Sequence, residues 1–226
     1  MAERLTDKQV TDLIAILRTD APIDAKVQQA TAIKSSIKQH SVPDSCILPL
    51  FEALRTASSS QHAALVNAGF TALNHLFTRL ARQDPRYLTK EAPRILPFII
   101  EKLGDQKEKF RQVAIQALIT LHEFAAQDVE RSVRNTAMVG KNSRAKEASL
   151  HWLLQMHQER GLQFRAYVPT LMELLEDADG GVREVAKSTV IELFRYAIRQ
   201  WAHFAALFNT NIGKLPMPPS RISSDS

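Results

Sequence analysis

The stretch LGDQKEKFRQVA, Leu103 to Ala114, returns as LEDADGGVREVA, Leu175 to Ala186, with Leu, Asp, Arg, Val and Ala in the same five places at an offset of 72 residues. In the first copy the apolar positions continue as Phe110, Val113, Ala114, Ala117, Leu118 and Leu121. That spacing puts every one of them on a single helix face. The stripe reappears as Val182, Val185, Ala186, Thr189, Val190 and Leu193. A copy shifted by 35 from the first runs Ala145, Ala148, Ser149, Trp152, Leu153 and Met156. Residue types change between copies, but the face is kept.

Upstream of the matching stretches, Leu96, Ile99, Ile100 and Leu103 correspond to Val168, Leu171, Met172 and Leu175, so each unit also carries a first helix. The same pattern occurs at Val10, Leu13, Ile14 and Leu17, and at Ile47, Leu50, Phe51 and Leu54. Five antiparallel helix pairs are therefore expected, with second helices near 24–40, 61–83, 108–125, 143–159 and 181–197. The first helix of the fourth pair, near 128–138, is the least regular, because Arg131 and Arg134 interrupt its apolar face.

Repeat periods of 35 and 37 residues with two helices per unit predict an all-α chain, an α-solenoid whose units bury their stripes by stacking on one another. Burying one large aliphatic side chain contributes about 1.5–3 kcal/mol, so such stripes account for folding without a ligand. First helices carry Pro49, Pro97 and Pro169 in equivalent places. Proline removes a backbone donor and either bends or starts a helix, which suits a curved stack. The prolines, together with Asp105, Asp177, Arg111 and Arg183, resemble the HEAT-repeat pattern. That resemblance implies a ladder of Asp and Arg between neighbouring repeats, with Lys146 at the position equivalent to the two arginines.

Longer stretches make the resemblance more specific. VPDSCILPLFEALRTASSSQHAALVNAGFTALNHL, ERSVRNTAMVGKNSRAKEASLHWLLQMHQE and FRAYVPTLMELLEDADGGVREVAKSTVIELF are similar to the N-terminal TOG domain of fungal CLASP-family proteins, over roughly residues 1–195. The resemblance implies a TOG paddle of about five HEAT-type pairs that binds tubulin or the microtubule lattice, stabilises microtubules and serves the mitotic spindle and kinetochores. It implies residence in the cytoplasm and cytoskeleton, on the spindle and in the nucleus. It also implies contacts through the loops joining the two helices of each pair. Those loops hold Ile23, then Ser58 to Ser60 with Ser59 at the tip, then Lys107 and Lys109, then Lys141, Asn142 and Arg144, then Asp179 and Gly180. The first loop, TDAPIDA, offers Ile23 where strong tubulin binders of the family carry an aromatic residue. The alternative it leaves open is a HEAT scaffold that binds a kinetochore or other protein without capturing free tubulin.

The repeat domain is expected over 1–197. Residues 198–210 are expected as a short capping helix, with Trp201, Phe204, Ala205 and Phe208 on one face. LPMPPSRISSDS and its approach, 211–226, read as a flexible tail.

Composition narrows the partner class. A net charge of +5 and a pI near 9.4 favour an acidic partner. The run from Arg131 to Lys146 holds five basic residues and no acidic one. Seven glycines leave few hairpin turns. One cysteine, Cys46, makes no internal disulfide, sits beside Ile47 and Leu48 as a buried residue would, and favours a reducing compartment. Neither a signal peptide nor a membrane span is expected from the apolar runs.

Nucleic acid is not expected, because the chain has no zinc-finger spacing, aromatic RNA-binding strand or long basic run. Catalysis and cofactors are not expected either. HEFAA has Ala126 where a zinc protease helix needs its second histidine, and Asn135 and Asn142 replace the first glycine and the hydroxyl of a phosphate loop. There is no G-x-S-x-G elbow. His151 and His157 are spaced too far apart on one helix to share a metal.

Overall fold

The computed structural model describes residues 5–212, with side chains through Arg199. Its elements are α1 (Asp7–Arg18), α2 (Ile23–Gln39), α3 (Asp44–Ser58), α4 (Ala63–Gln83), α5 (Arg86–Leu103), α6 (Glu108–Ser132), α7 (Ser143–Arg160), α8 (Val168–Leu175) and α9 (Gly180–Ile212). A single π-helical turn, Val133–Ala137, continues α6, and a 3-10 turn, Phe164–Tyr167, precedes α8. The described residues contain no strand.

The expected stripes are the core. Leu13, Ile47, Leu50, Leu54, Ile99, Leu103, Ala114, Leu118, Trp152, Leu153, Val182, Ala186 and Leu193 are buried in one continuous cluster. Each pair closes on itself and on the next, which is why no unit could hold its apolar face out of water alone.

Local signals set the helix ends. Thr6 and Gln9 form a reciprocal capping box at α1. Asn142 caps α7 by accepting from the N–H groups of Arg144 and Ala145 at 3.0 and 3.3 Å. The same helix ends on Gly161 at φ 68°, with its N–H on the His157 carbonyl and that of Leu162 on Met156. Glycine takes this left-handed turn without a Cβ clash.

The prolines divide by position. Pro49 lies inside α3 and Pro97 inside α5, whereas Pro169 opens α8, where its missing donor costs nothing.

The fourth pair departs from the expected layout. No loop precedes its first helix. The chain bends at Ala125, whose φ of −142° and ψ of 47° leave the helical region, and runs on as a helix to Ser132 and through the π turn. Its buried stripe is Val129, Val133, Ala137 and Met138. Arg131 points to solvent, and Arg134 lies with its guanidinium 5.8 Å from the Tyr167 ring centre, so neither breaks the face.

The expected Asp–Arg ladder is corrected. Arg111 Nη1 donates to the carbonyls of Asp105 and Gln106 at 2.9 and 3.0 Å, and Arg183 Nη1 repeats this with Asp177 and Ala178 at 2.7 and 3.1 Å. Each arginine pins its own loop through main-chain oxygens rather than bridging repeats. The bridge between repeats is Lys146, whose Nζ is 2.5 Å from Asp177 Oδ2.

At the C-terminal end, α9 runs without a break from Gly180 to Ile212, so 198–210 continue the last helix. The side chains of Trp201, Phe204, Ala205 and Phe208, and the segment after 212, lie outside the described residues. Cys46 is buried as expected. Burial, with Asp7 alongside, pushes its thiol up to about 11, so it stays protonated and unreactive at neutral pH.

Candidate partner-binding edge

Antiparallel pairs stacked in register put the loop inside each pair at one edge and the joins between pairs at the other. Side-chain ties mark both. On the far edge, Gln83 exchanges two hydrogen bonds with the backbone of Val42 at 2.9 and 2.6 Å, and Thr89 donates to the Phe124 carbonyl at 3.1 Å. On the near edge, Asn142 Nδ2 donates to the Gly104 carbonyl at 3.1 Å, joining the third and fourth loops. Lys146–Asp177 and the Ser143 hydroxyl beside Asp179 join the fourth to the fifth.

The third and fourth loops meet closely. A Cβ on Gly104 would collide with the Asn142 amide, so any larger residue here has to displace the Asn142 side chain. Asn142 thus has two structural duties, capping α7 and holding the loop ahead of it.

Each near-edge loop joins the C-terminus of one helix to the N-terminus of the next. The opposed helix dipoles offset one another there, and exposed side chains set the sign of the edge. Lys107, Lys109, Lys141 and Arg144 are all exposed. Among the described residues none of the four has a carboxylate within ion-pair distance. The Lys107 ammonium lies 5.8 Å from the Phe110 ring centre, and Lys109 stands in the first turn of α6.

The fifth loop is acidic, and its two aspartates are engaged. Lys146 holds the Asp177 carboxyl below its ordinary range, assisted by the Asp179 N–H. The Ser143 hydroxyl does the same for Asp179, followed by the N–H groups of Val182 and Gly181, which Asp179 caps. Between the fourth and fifth loops lies an open cleft of about 620 Å³ lined by Lys141, Asn142, Ser143, Arg144, Glu147 and Asp179. The edge is therefore cationic in its middle and mixed at its end.

The first two loops contribute less. Ile23 is half-buried as the first residue of α2, following Pro22. Ser59 is exposed and donates to the Arg55 carbonyl at 3.1 Å, whereas Ser58 is buried against Leu54 and unavailable. Sequence reasoning missed Ser143 and Glu147 as cleft residues. The signal was the Asn142–Ser143 start of α7, whose capping role fixes where the next turn points.

Among the described residues no group of His, Cys, Asp and Glu is arranged to hold a metal, and no helix is long and apolar enough to cross a membrane.

Residues 6–214 match the protein family described as CLASP N terminal. Over 197 residues the chain is 78% identical to "Protein STU1" of Chaetomium globosum, covering 87% of this chain and 18% of that protein. It spans less than a fifth of that relative's length. Its fold is similar to the crystal structure of the MAST/Orbit N-terminal domain, with a TM-score of 0.74 and 22% identity over 86% of this chain and 85% of that one. It is also similar to the CEP104 TOG domain, with a TM-score of 0.58 and 14% identity over 96% and 92% of the two chains. At these identities the structural likeness speaks for the fold alone, a TOG-type stack of helix pairs.

Proposed function

Since the chain belongs to the CLASP N-terminal family, we propose that it binds tubulin or the microtubule lattice along its near edge and so stabilises microtubules of the mitotic spindle. The observation that carries this is the row of four exposed cations on two adjoining loops, Lys107, Lys109, Lys141 and Arg144, none neutralised by a described carboxylate. The Asn142–Gly104 tie holds those loops in fixed relation, which lowers the ordering cost of presenting four charges together. Ile23 and Ser59 extend the contact along the edge, and Asn142 positions it.

On this reading the module binds and does no chemistry, needs no cofactor, and touches neither nucleic acid nor membrane. It works in the cytoplasm and cytoskeleton, at the spindle and in the nucleus.

A second reading has its own support. The first loop, TDAPIDA, carries no aromatic side chain, and its Ile23 is half-buried, which leaves little apolar surface to pack on a partner. That favours the assembled lattice or a kinetochore protein over capture of free tubulin. Pelleting with microtubules, compared with co-migration with free αβ-tubulin, separates the two. The four-residue charge reversal at Lys107, Lys109, Lys141 and Arg144 tests the edge in both formats.

A further inference from the structure

A second cationic surface lies on the α2–α4 face, away from the near-edge loops. Lys34 and Lys38 stand one turn apart on α2, and His75, Arg79 and Arg82 follow at the same kind of spacing on α4. Arg79 Nε donates to the Ile37 carbonyl at 2.9 Å and Nη2 to the Lys38 carbonyl, so this arginine locks the two helices in register. The pocket that results has a volume of about 150 Å³ and is lined by Ile37, Lys38, His75, Thr78, Arg79 and Arg82.

No acid opposes these cations from their own helices. From Ala25 to the end of α2, and throughout α4, there is neither Asp nor Glu. Among the described residues Lys34, Lys38 and Arg82 form no ion pair. Lys38 and Arg82 lie in the last turns of their helices, where a cation complements the helix dipole, but Lys34 and His75 lie further in and gain little from it. The cluster bears on His75: burial, then Lys38 and Lys34, hold its imidazole below the ordinary range, so it is neutral at pH 7.

We infer that the paired basic rows on α2 and α4, converging on the pocket beside His75 and Arg79, are a docking site for an acidic peptide segment. Length supports a peptide over a single small anion. The step from His75 to Arg82 is seven residues of helix, about 10 Å, which matches about three residues of extended chain. Successive carboxylates would meet Lys34 at one end and Lys38 and Arg82 at the other, along the row that the neutral His75 lines. The site shares no residue with the near edge, so it stands or falls independently of tubulin binding there.

The test is fluorescence anisotropy of a labelled oligoglutamate peptide with the full chain, at low and near-physiological salt. Oligolysine serves as a control, and inorganic phosphate as a competitor. Two variants are compared: the far-face triple Lys34→Glu, Lys38→Glu, Arg82→Glu, and the near-edge quadruple charge reversal. Arg79 is left intact because it holds the fold, and Lys34→Gln with Arg82→Gln supplies a milder version whose helicity is checked alongside. The expected result is salt-sensitive binding that falls about tenfold or more in the triple variant and stays within about twofold in the near-edge variant. Equal binding by the folded triple variant, or loss in the near-edge variant instead, overturns the site. Displacement of the peptide by an equimolar amount of phosphate overturns the acidic-peptide assignment in favour of a small-anion pocket.

Discussion

Lys146 Nζ lies 2.5 Å from Asp177 Oδ2, across the junction of the last two repeats, with both side chains mostly withdrawn from solvent. The contact is a rung of the kind expected between repeats, made by the lysine that stands at the arginine position. It depends on Lys146 standing where the neighbouring repeats place Arg111 and Arg183. A lysine reaches across to the next repeat, whereas those arginines fold back onto their own loops.

Removing one partner leaves the other ion short of solvent and unpaired. Lys146→Met is expected to lower stability by about 1–3 kcal/mol, read by urea denaturation at neutral pH. Charge-conserving Lys146→Arg is expected to retain part of that loss, because the planar guanidinium does not fit a single-point contact.

Acid should erase this contribution. The Asp177 carboxyl is held below its unfolded value of about 3.9 by Lys146. A depressed folded pKa gives stability that is present above the unfolded pKa and lost as pH falls through the folded one. The gap between wild type and Asp177→Asn is therefore expected to be full at pH 6–7, to shrink below about pH 4, and to close at lower pH. Denaturation series at several pH values measure it. A gap unchanged down to pH 2 would show that the pair is not its source.

Gly104→Ala forces a Cβ into the Asn142 amide. The expected cost is about 1–3 kcal/mol, and Asn142→Ala, which loses the cap and the tie without a clash, is expected to cost about 1 kcal/mol. If the two losses arise at the same contact, the double variant costs less than their sum, which a double-mutant cycle reads directly.

Trp152 is fully buried and packs edge-on to His122 at 6.0 Å between ring centres. Trp152→Ala is expected to cost about 3–5 kcal/mol and to expose the fourth repeat first, seen as early amide exchange in α7.

The fold was legible because its signal is long and periodic. Helix stripes at 110–121, 145–156 and 182–193 repeat closely enough to fix both the element type and the stacking. The boundary near Ala125 was legible from where the 108–125 stripe stops, but not that the chain would bend there without a loop, since alanine favours helix. Nor were the arginine ties, whose acceptors are backbone carbonyls that no side-chain pattern records.

The candidate edge was partly legible. Exposure of Lys107, Lys109, Lys141 and Arg144 follows from their place at loop tips, but the capping of α7 by Asn142 and its hold on Gly104 depend on how two loops 38 residues apart meet. The α2–α4 cations were invisible for the same reason. Lys34 and Lys38 are ordinary on α2 alone, and only the packing of α4 sets His75, Arg79 and Arg82 beside them.

The most direct test of the central claim is sedimentation velocity of the chain with αβ-tubulin, at low and near-physiological salt, beside the charge reversal of Lys107, Lys109, Lys141 and Arg144. The account predicts co-migration that weakens as salt rises and disappears in the folded variant, because each exposed pair is worth only about 0.2–1 kcal/mol and binding needs several together. Co-migration unchanged in that variant, or a wild-type chain that neither co-migrates with tubulin nor pellets with microtubules at low salt, would contradict it.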